Sequence, residues 1–258
     1  MPDKEDLLDI ACRAAISAGE LLLERFAGAA AGVGSKTTPT DLVSDADRES
    51  EQLLVELISS SRPDDGIVSE EGSRASSSSG LTWVIDPLDG TVNYLFRIPW
   101  WSVSIALEDA TGALVGVVLD PVRNDLFAAV RGAGATLNDE PIHVSTRTEL
   151  SAALIGTGFA YDARARAVQA EIVTRVLPKA RDIRRAGSAA LDLASLSCGR
   201  LDGFYEAPME HWDKAAGVLL AREAGAVVTD LPAPYGLSTG VMAANPQLHE
   251  QLSELVLG

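Results

Sequence analysis

The chain has 258 residues, of which 47% are hydrophobic and 22% are charged, so it can bury a large core and is not intrinsically disordered. Asp and Glu total 37 against 21 Lys and Arg, which gives a formal net charge of -16 at pH 7. Such a charge repels nucleic-acid backbones and anionic lipid surfaces, and we therefore predict no nucleic-acid partner and no membrane partner.

The sequence also indicates a cellular compartment. No apolar stretch approaches the roughly 18 residues of a membrane span, and the acidic start lacks the basic and apolar regions of a secretory signal. The two cysteines, Cys12 and Cys198, provide neither a disulfide framework nor the spacing of a zinc site. We therefore expect a cytoplasmic protein.

Apolar periodicity predicts an amphipathic helix at residues 4–27, followed by a loop to residue 40. Ser44 and Asp47 have the spacing of a capping box and predict the start of a second helix. The serine-rich stretch 73–80 is typical of a mobile surface loop. Strands are predicted at 82–85, 101–107, 113–119 and 126–130, and the last three favour an antiparallel meander.

The second half alternates between strands and helices. Strands are predicted at 153–156, around 183, at 203–206, 226–229 and 241–243, and helices at 163–177, 188–197, 212–224 and from 246. Helices and sheets in both halves favour a layered mixed α/β or α+β protein. The halves are interpreted as two subdomains with a cleft between them.

The most informative segment is Asp86-Pro87-Leu88-Asp89-Gly90-Thr91, which directly follows an apolar strand. The strand end would fix Asp86, and Pro87 would stiffen the turn so that both carboxylates converge on one point. Gly90 permits close backbone approach, and its amide and the next could face an anion. Asp, Pro and Gly are also ordinary turn residues, so this segment alone leaves a simple turn open.

Two further acids lie at the ends of predicted elements. Glu70 follows a short apolar run, and Asp213 lies in the first turn of a predicted helix, where the macrodipole favours negative charge. Each alone could be a solvated acid or a dipole partner. Together with Asp86 and Asp89 they form the oxygen donor set that Mg²⁺ uses beside a substrate phosphate. Bound cations would also reconcile an acidic chain with an anionic substrate.

These motifs together resemble those of the inositol monophosphatase family, which belongs to the lithium-sensitive, magnesium-dependent phosphatases. The resemblance covers essentially the whole chain and rests on five segments in family order: 40–47, 70–71, 86–91, 187–190 and 212–213. It implies an α+β fold with layers in the order αβαβα, lithium sensitivity and a homodimer. Residues 1–135 would form the subdomain with most metal ligands, and 136–258 the subdomain with Asp213 and the substrate contacts.

The resemblance implies ligands for two or three Mg²⁺ ions. The first ion would be held by Glu70, Asp86 and the backbone carbonyl of Leu88. The second would be held by Asp86, Asp89 and Asp213. Glu70 would also reach a weaker third ion through water.

The resemblance further implies residues for the water and the substrate. Asp47 and Thr91 would orient and deprotonate the attacking water, with Glu70 beside them, and Lys36 matches a family lysine on a mobile loop near the metals. Phosphate would rest on the amides of Gly90 and Thr91. Sugar or cyclitol hydroxyls would be contacted by Asp89, Gly187, Ser188, Ala189, Glu206 and Asp213.

The sequence therefore predicts hydrolysis of a phosphate monoester by metal-activated water, with inositol 1-phosphate as the first choice among small phosphorylated polyols. Histidinol phosphate, fructose 1,6-bisphosphate and a 3′-phosphonucleotide stay open as substrates of the same chemistry. A regulatory protein with a vestigial site is a lesser alternative. An aspartyl-phosphate mechanism is disfavoured because Asp86 and Asp89 are three positions apart, whereas that chemistry uses two aspartates two positions apart.

Overall fold

The computed structural model of the protein describes residues 3–28, 32–35 and 42–258. Within these ranges the chain forms seven α-helices: α1 (Lys4–Ala27), α2 (Asp45–Ser61), α3 (Thr91–Leu95), α4 (Ala163–Val176), α5 (Ala189–Ser197), α6 (His211–Glu223) and α7 (His249–Leu257). Two short 3-10 helices lie at Leu150–Ala152 and Pro234–Gly236.

The same ranges contain fifteen strands in three sheets. They are β1 (Gly34–Ser35), β2 (Leu42–Val43), β3 (Gly66–Ser69), β4 (Arg74–Ala75), β5 (Thr82–Asp89), β6 (Ser102–Asp109), β7 (Gly112–Asp120), β8 (Asp125–Val130), β9 (Gly134–Leu137), β10 (Glu140–Pro141), β11 (Leu154–Thr157), β12 (Asp182–Arg184), β13 (Gly203–Glu206), β14 (Val227–Leu231) and β15 (Gly240–Ala244).

Strand pairing defines two large sheets and one small one. The first large sheet has eight strands in the order β10-β9-β8-β7-β6-β5-β3-β4, and the second has five in the order β12-β11-β13-β15-β14. The predicted meander is confirmed, since β6, β7 and β8 pair antiparallel in sequence. The predicted subdomain boundary at residue 135 stays a prediction, and the first sheet itself extends to Pro141.

The elements stack in five layers in the order αβαβα. Helices α1 and α2 cover one face of the eight-stranded sheet, and α5 and α6 pack between the two large sheets. Helices α4 and α7 lie against the outer face of the five-stranded sheet. Four clusters of buried apolar side chains fill the four interfaces between the layers. The fold is therefore the layered α+β arrangement that the sequence predicts.

Local sequence explains where the first helices begin. Asp3 caps α1, because its carboxylate accepts a hydrogen bond from the Glu5 amide at 3.1 Å. Ser44 and Asp47 form the predicted capping box at α2, with the Ser44 amide donating to Asp47 Oδ2 at 2.8 Å. Asp47 of this box is buried and faces the sheet, and its Oδ1 atom belongs to the site described below.

Three predictions about loops and ends are corrected by the structure. The predicted loop between the first two helices contains β1, which pairs with β2. The serine-rich stretch contains β4, and Ser79 Oγ anchors it to Asp65 at 2.6 Å, so its side chains serve as hydrogen-bond donors to the preceding turn. The last helix begins at His249, because Asn245 caps a turn there by accepting from the Leu248 amide. None of the helices in the described ranges combines the length and the apolar character needed to cross a bilayer.

The central helix layer lies unusually close to the first sheet. A Cβ atom on Gly116 of β7 would lie 3.0 Å from the Ala216 carbonyl oxygen in α6. A Cβ atom on Gly217 of α6 would lie 2.7 Å from Leu193 Cβ in α5. Glycine at these two positions lets α6 fit between the sheet and its partner helix.

We expect Gly116→Val to lower the free energy of unfolding by about 1–3 kcal/mol, because the added atoms overpack a backbone contact that cannot yield easily. Urea denaturation followed by circular dichroism would measure the change. Ala75→Val adds similar atoms to the exposed edge strand β4 and is the control. Equal destabilisation by the two substitutions would contradict this account of the α6 contact.

Candidate active site

The pairing of β3 with β5 brings the first two acids together. These strands run parallel with Ser69 opposite Ile85, so the residues that follow them, Glu70 and Asp86, leave the sheet side by side. The Glu70 amide donates to the Ile85 carbonyl at 3.1 Å and continues the pairing by one residue. Two acids that are sixteen positions apart in sequence thereby become neighbours.

A register shift in the pairing of β5 with β6 shapes the next part of the site. The shift lies between Asp86 and Asp89, where the regular ladder of hydrogen bonds is interrupted. The Leu88 amide donates to Asp86 Oδ1 at 3.0 Å, and Ser50 Oγ of α2 donates to the Pro87 carbonyl at 2.8 Å. The Asp86-to-Asp89 segment is therefore held from both within and outside its strand.

Asp89 is fixed by the beginning of α5. Its Oδ2 atom accepts hydrogen bonds from Ser188 Oγ at 2.5 Å and from the Ala190 amide at 2.9 Å. Ser102 Oγ lies 3.4 Å from the same oxygen and 3.2 Å from Ser188 Oγ. A carboxylate at a helix N-terminus satisfies amides that lack partners within the helix. One oxygen of Asp89 thus joins the first sheet to the central helix layer.

Thr91 and Asp47 form a hydrogen-bonded pair next to these acids. Thr91 Oγ1 donates toward Asp47 Oδ1 at 2.9 Å and lies 3.1 Å from the Leu88 carbonyl oxygen. Both side chains are buried, and Asp47 Oδ2 accepts from Ser44 in the capping box. A hydroxyl held between a carboxylate and a carbonyl has a fixed orientation, which is the arrangement a proton-transfer pair requires.

The turn around Gly90 needs glycine because its φ of 92° lies in the left-handed region. A Cβ atom there would also lie 3.1 Å from the Trp100 carbonyl and 3.3 Å from the Gly187 carbonyl. The Asn93 side-chain amide donates to Trp100 and Ala186 carbonyls, both at 2.8 Å. The Gly90 turn and the predicted substrate turn at 187–189 are therefore in contact.

Asp213 and Glu206 come from the second half of the chain. Asp213 lies in the first turn of α6 and accepts from the Glu210 amide at 2.8 Å. Glu206 ends β13, and its carboxylate occupies the space where Gly158 would carry a side chain, since a Cβ atom there would lie 2.0 Å from the Glu206 carboxyl carbon. Both acids act electrostatically on the Asp89 region, as the pKa shifts below indicate.

Mutual repulsion and burial dominate the electrostatics of the site. Desolvation raises the pKa of Asp86 well above its usual value, and the negative charges of Glu70, Asp89 and Asp213 add to the shift. Desolvation, followed by the charges of Glu70 and Asp89, likewise raises the pKa of Asp213. Burial raises the pKa of Asp89 to about 6 although Ser188 and Ala190 oppose it, and it raises the pKa of Glu206 to about 7 although Arg185 opposes it.

These residues have the chemistry of a site for a hard divalent cation. The charges that act most strongly on Asp86 are all acidic and belong to Glu70, Asp89 and Asp213. In the described ranges, no three His, Cys, Asp or Glu side chains already surround one point at ligand distances. A bound cation would offset the repulsion among these carboxylates, and the oxygen-only donor set suits Mg²⁺ or Ca²⁺.

The structure brings most of the predicted site residues into one region. Glu70, Asp86, Asp89 and Asp213 interact electrostatically, Thr91 joins Asp47 to the Leu88 carbonyl, and Gly187 and Ser188 contact the Gly90–Asp89 turn. The Ala189 amide lowers the pKa of Asp89, and the charge of Asp89 raises the pKa of Glu206. Lys36 lies outside the described residues.

Several residues of the site were not predicted. Ser102 and Asn93 carry no sequence signal, because their contacts join segments far apart in the chain. Ser50 and Glu51 do carry a sequence signal, because they follow Asp47 by three and four positions and therefore lie on the same face of the helix. Asp47, Ser50 and Glu51 are polar residues on a helix face that should be apolar, which indicates a buried polar network. All three are buried.

Comparison with known proteins gives the family. Residues 3–257 match the inositol monophosphatase family. The chain is 40% identical to the Nus factor SuhB of Escherichia coli K12 over 246 residues, covering 94% of this chain and 92% of that protein. It is 44% identical over 230 residues to the inositol-1-monophosphatase SuhB of Mycobacterium tuberculosis, and the match covers 85% of this chain and 79% of that protein. The SuhB crystal structure from Bartonella henselae superposes with a TM-score of 0.91 at 35% identity, and the match covers 97% of this chain and 98% of that chain. The chain belongs to the inositol monophosphatase family.

Proposed function

We propose that the protein is a Mg²⁺-dependent phosphatase that hydrolyses inositol 1-phosphate to myo-inositol and phosphate. The observation that carries the proposal is the convergence of Glu70, Asp86, Asp89 and Asp213, next to the hydrogen-bonded pair Asp47–Thr91. The match of nearly the whole chain to the inositol monophosphatase family supports the reaction class. A small phosphorylated polyol is the proposed substrate, and a homodimer is the proposed assembly.

The proposal assigns the ligands as the family resemblance implies. Glu70, Asp86 and the Leu88 carbonyl would hold one ion, and Asp86, Asp89 and Asp213 a second, with Glu70 reaching a third through water. Divalent cations bound there would neutralise phosphoryl oxygens, make a water molecule more acidic and stabilise the leaving oxygen. The remaining chemistry rests on residues of this chain.

The Asp47–Thr91 pair is placed to receive a proton from the attacking water. Asp47 Oδ1 accepts the Thr91 hydroxyl proton, so the Thr91 oxygen can in turn accept a hydrogen bond from a water on its other side. The Ser44 amide and hydroxyl stabilise the opposite oxygen of Asp47, which keeps this carboxylate oriented. The pair therefore passes a proton from water to Asp47 through Thr91 without moving a heavy atom.

The polyol end of the substrate is proposed to lie between Asp89 and Glu206. The Gly187–Ala189 turn is held to Asp89 through Ser188, and Glu206 is seated against Gly158. Carboxylates accept hydrogen bonds from vicinal hydroxyls, and turn amides donate hydrogen bonds to them, whereas a flat apolar pocket would do neither. The amides of Gly90 and Thr91 would support the phosphate.

Two alternatives follow from specific observations. The residues proposed to contact substrate hydroxyls are carboxylates and turn amides, which can bind hydroxyl groups of many phosphate esters, so histidinol phosphate, fructose 1,6-bisphosphate and a 3′-phosphonucleotide stay as rival substrates. A regulatory role is a second candidate, because a relative at 40% identity is named a Nus factor. The first experiment distinguishes all of these.

Phosphate release should be measured from inositol 1-phosphate and the three rival esters, with Mg²⁺ and with EDTA. We expect release from inositol 1-phosphate to fall by more than about 10²-fold with EDTA and in Asp89→Asn or Asp213→Asn, because bound cations contribute several kcal/mol. Asp230→Asn, an exposed acid of β14, is the matched control and should keep activity. Metal-dependent preference for another ester would replace the substrate, and no metal-dependent release would favour the regulatory role.

Asp47→Asn should lower kcat by about 10²–10⁴-fold, the usual contribution of a proton-transfer group, while Mg²⁺ affinity stays unchanged. An asparagine keeps the size of the side chain but accepts a proton poorly. Steady-state kinetics and calorimetric Mg²⁺ titration would measure both quantities. Asp45→Asn removes an exposed carboxylate two residues away, which pairs with Arg48, and should leave both unchanged. A parallel loss of metal affinity in Asp47→Asn would place this residue among the ligands instead.

The stabilising effect of Mg²⁺ should grow with pH. In the metal-free fold the pKa of Asp89 is raised from 3.8 to about 6 and that of Glu206 from 4.5 to about 7. A raised carboxyl pKa costs nothing at low pH, where both states are protonated, and destabilises the fold increasingly as the pH rises through these values. Cations bind the ionised form, so they compete with protons below that range.

Melting temperatures with and without Mg²⁺, recorded from about pH 5 to about pH 8, would test this linkage. We expect a small Mg²⁺-induced rise at the acidic end and a larger rise at the alkaline end. Asp89→Asn should flatten the dependence. A rise of equal size at every pH in the wild type would contradict the proposed linkage.

A further inference from the structure

The turn that carries Glu70 is held by a carboxylate that is not a proposed ligand. This turn, Ser69–Ser73, joins β3 to β4. The carboxylate of Glu51 in α2 accepts four hydrogen bonds from it. Oε2 accepts from Ser69 Oγ and from the Glu71 amide at 2.9 Å, and Oε1 accepts from the Ser73 amide at 3.1 Å and from Ser73 Oγ at 2.6 Å.

Hydrogen bonds hold the side of this turn that faces α2. A cavity of about 380 Å³, open to solvent, lies between α2 and the turn, and its lining includes Glu51, Glu71 and Ser73. Unfilled space offers no packing resistance to a shift of the backbone. Glu51 is 6% exposed, so its four hydrogen bonds act in a desolvated setting where charge-assisted bonds are strong.

The same helix face fixes the neighbouring parts of the site. Glu51 follows Asp47 by one turn of α2, and Ser50 holds the Pro87 carbonyl between Asp86 and Leu88. The helix therefore supports the Glu70 turn, the Asp86–Asp89 segment and the Asp47–Thr91 pair together. Within the described ranges, the Glu51 carboxylate hydrogen-bonds to the first of these three parts and not to the other two.

Arg74 holds the other side of the Ser69–Ser73 turn. Its guanidinium donates to the Ser69 carbonyl and to the Ser73 carbonyl at 2.8 Å. It also lies over the ring of Trp212, 5.5 Å from its centroid, in a cation–π contact. Trp212 directly precedes Asp213, so this contact joins the turn that carries Glu70 to the helix that carries Asp213.

We propose that Glu51 and Arg74 are positioning residues that hold the Ser69–Ser73 turn against the start of α6 and thereby set the affinity of the site for divalent cations. The inference rests on the proposed function, because it needs Glu70 and Asp213 to act as ligands. Ligands from distant segments bind a cation with less reorganisation when their backbones are already fixed.

Calorimetric titration of the full-length, chelator-treated protein with Mg²⁺ measures the affinity without relying on turnover. We expect Glu51→Gln to raise the Kd for Mg²⁺ by roughly tenfold, as is typical when an outer partner of a metal ligand is lost. The glutamine amide nitrogen donates rather than accepts, so two of the four hydrogen bonds are lost. Glu56→Gln removes an acid from the same helix and the same cavity wall and should leave the Kd unchanged.

Two milder variants keep the test decisive if Glu51→Gln does not fold. Ser73→Ala removes one of the four hydrogen bonds and leaves the charge of Glu51. Arg74→Met removes the contacts with both carbonyls and with Trp212. Its control is Arg164→Met, which removes a cation–π contact with Tyr235, on the α4 side of the molecule. We expect Ser73→Ala and Arg74→Met to bind Mg²⁺ more weakly than the wild type, and Arg164→Met to bind it with the wild-type affinity.

A positioning role also makes a kinetic prediction that general destabilisation does not. The Mg²⁺ concentration for half-maximal activity should rise in parallel with the Kd, while kcat at saturating Mg²⁺ and KM for the substrate stay at wild-type values. The proposal is wrong if folded Glu51→Gln, Ser73→Ala and Arg74→Met bind Mg²⁺ as tightly as the wild type. If the wild type and Asp213→Asn bind Mg²⁺ equally, or neither binds it, the proposed function is wrong, and the positioning role is wrong with it.

Discussion

The repulsion between Glu70 and three desolvated carboxylates, Asp86, Asp89 and Asp213, is the constraint on which the rest of this structure depends. Glu70, Asp86, Asp89 and Asp213 come from three different elements, and burial together with mutual repulsion raises the pKa of Asp86, Asp89 and Asp213. Burying an uncompensated charge is costly. The protein tolerates this cluster because backbone amides and a serine hydroxyl partly compensate it, and a bound cation would compensate it further.

The layered architecture explains how such a cluster is kept in place. Asp86 and Asp89 belong to the first sheet, whereas Asp213 begins a helix that is packed between the two large sheets. Apolar cores on both sides of that helix layer fix its distance from the sheet. The hydrophobic effect thus holds the like charges together, since their own interaction would separate them.

Helix α2 has a second supporting role, on the outer face of the same sheet. Its apolar residues Leu54 and Ile58 pack into the first core, while its first turns present Asp47, Ser50 and Glu51 to the site. One helix therefore anchors itself at its C-terminal half and organises polar loops at its N-terminal half. Asp47, Ser50 and Glu51 are therefore polar although they are buried on the face that carries Leu54 and Ile58 further along the helix.

The sequence by itself determined most of the helices and strands, because periodicity and capping residues are local patterns. These patterns left the class as layered α/β or α+β, and the Asp86–Thr91 motif with its companion segments indicated the family and, through it, the α+β class. The sequence also indicated that Glu70 and Asp213 belong with that motif. Only the tertiary structure decided which partners orient them: Ser188 on Asp89, Asn93 on the Ala186 carbonyl, Glu51 on the Ser69–Ser73 turn, and Trp212 on Arg74. These contacts join segments tens of residues apart, and local patterns do not encode the sheet register and helix packing that bring such segments together.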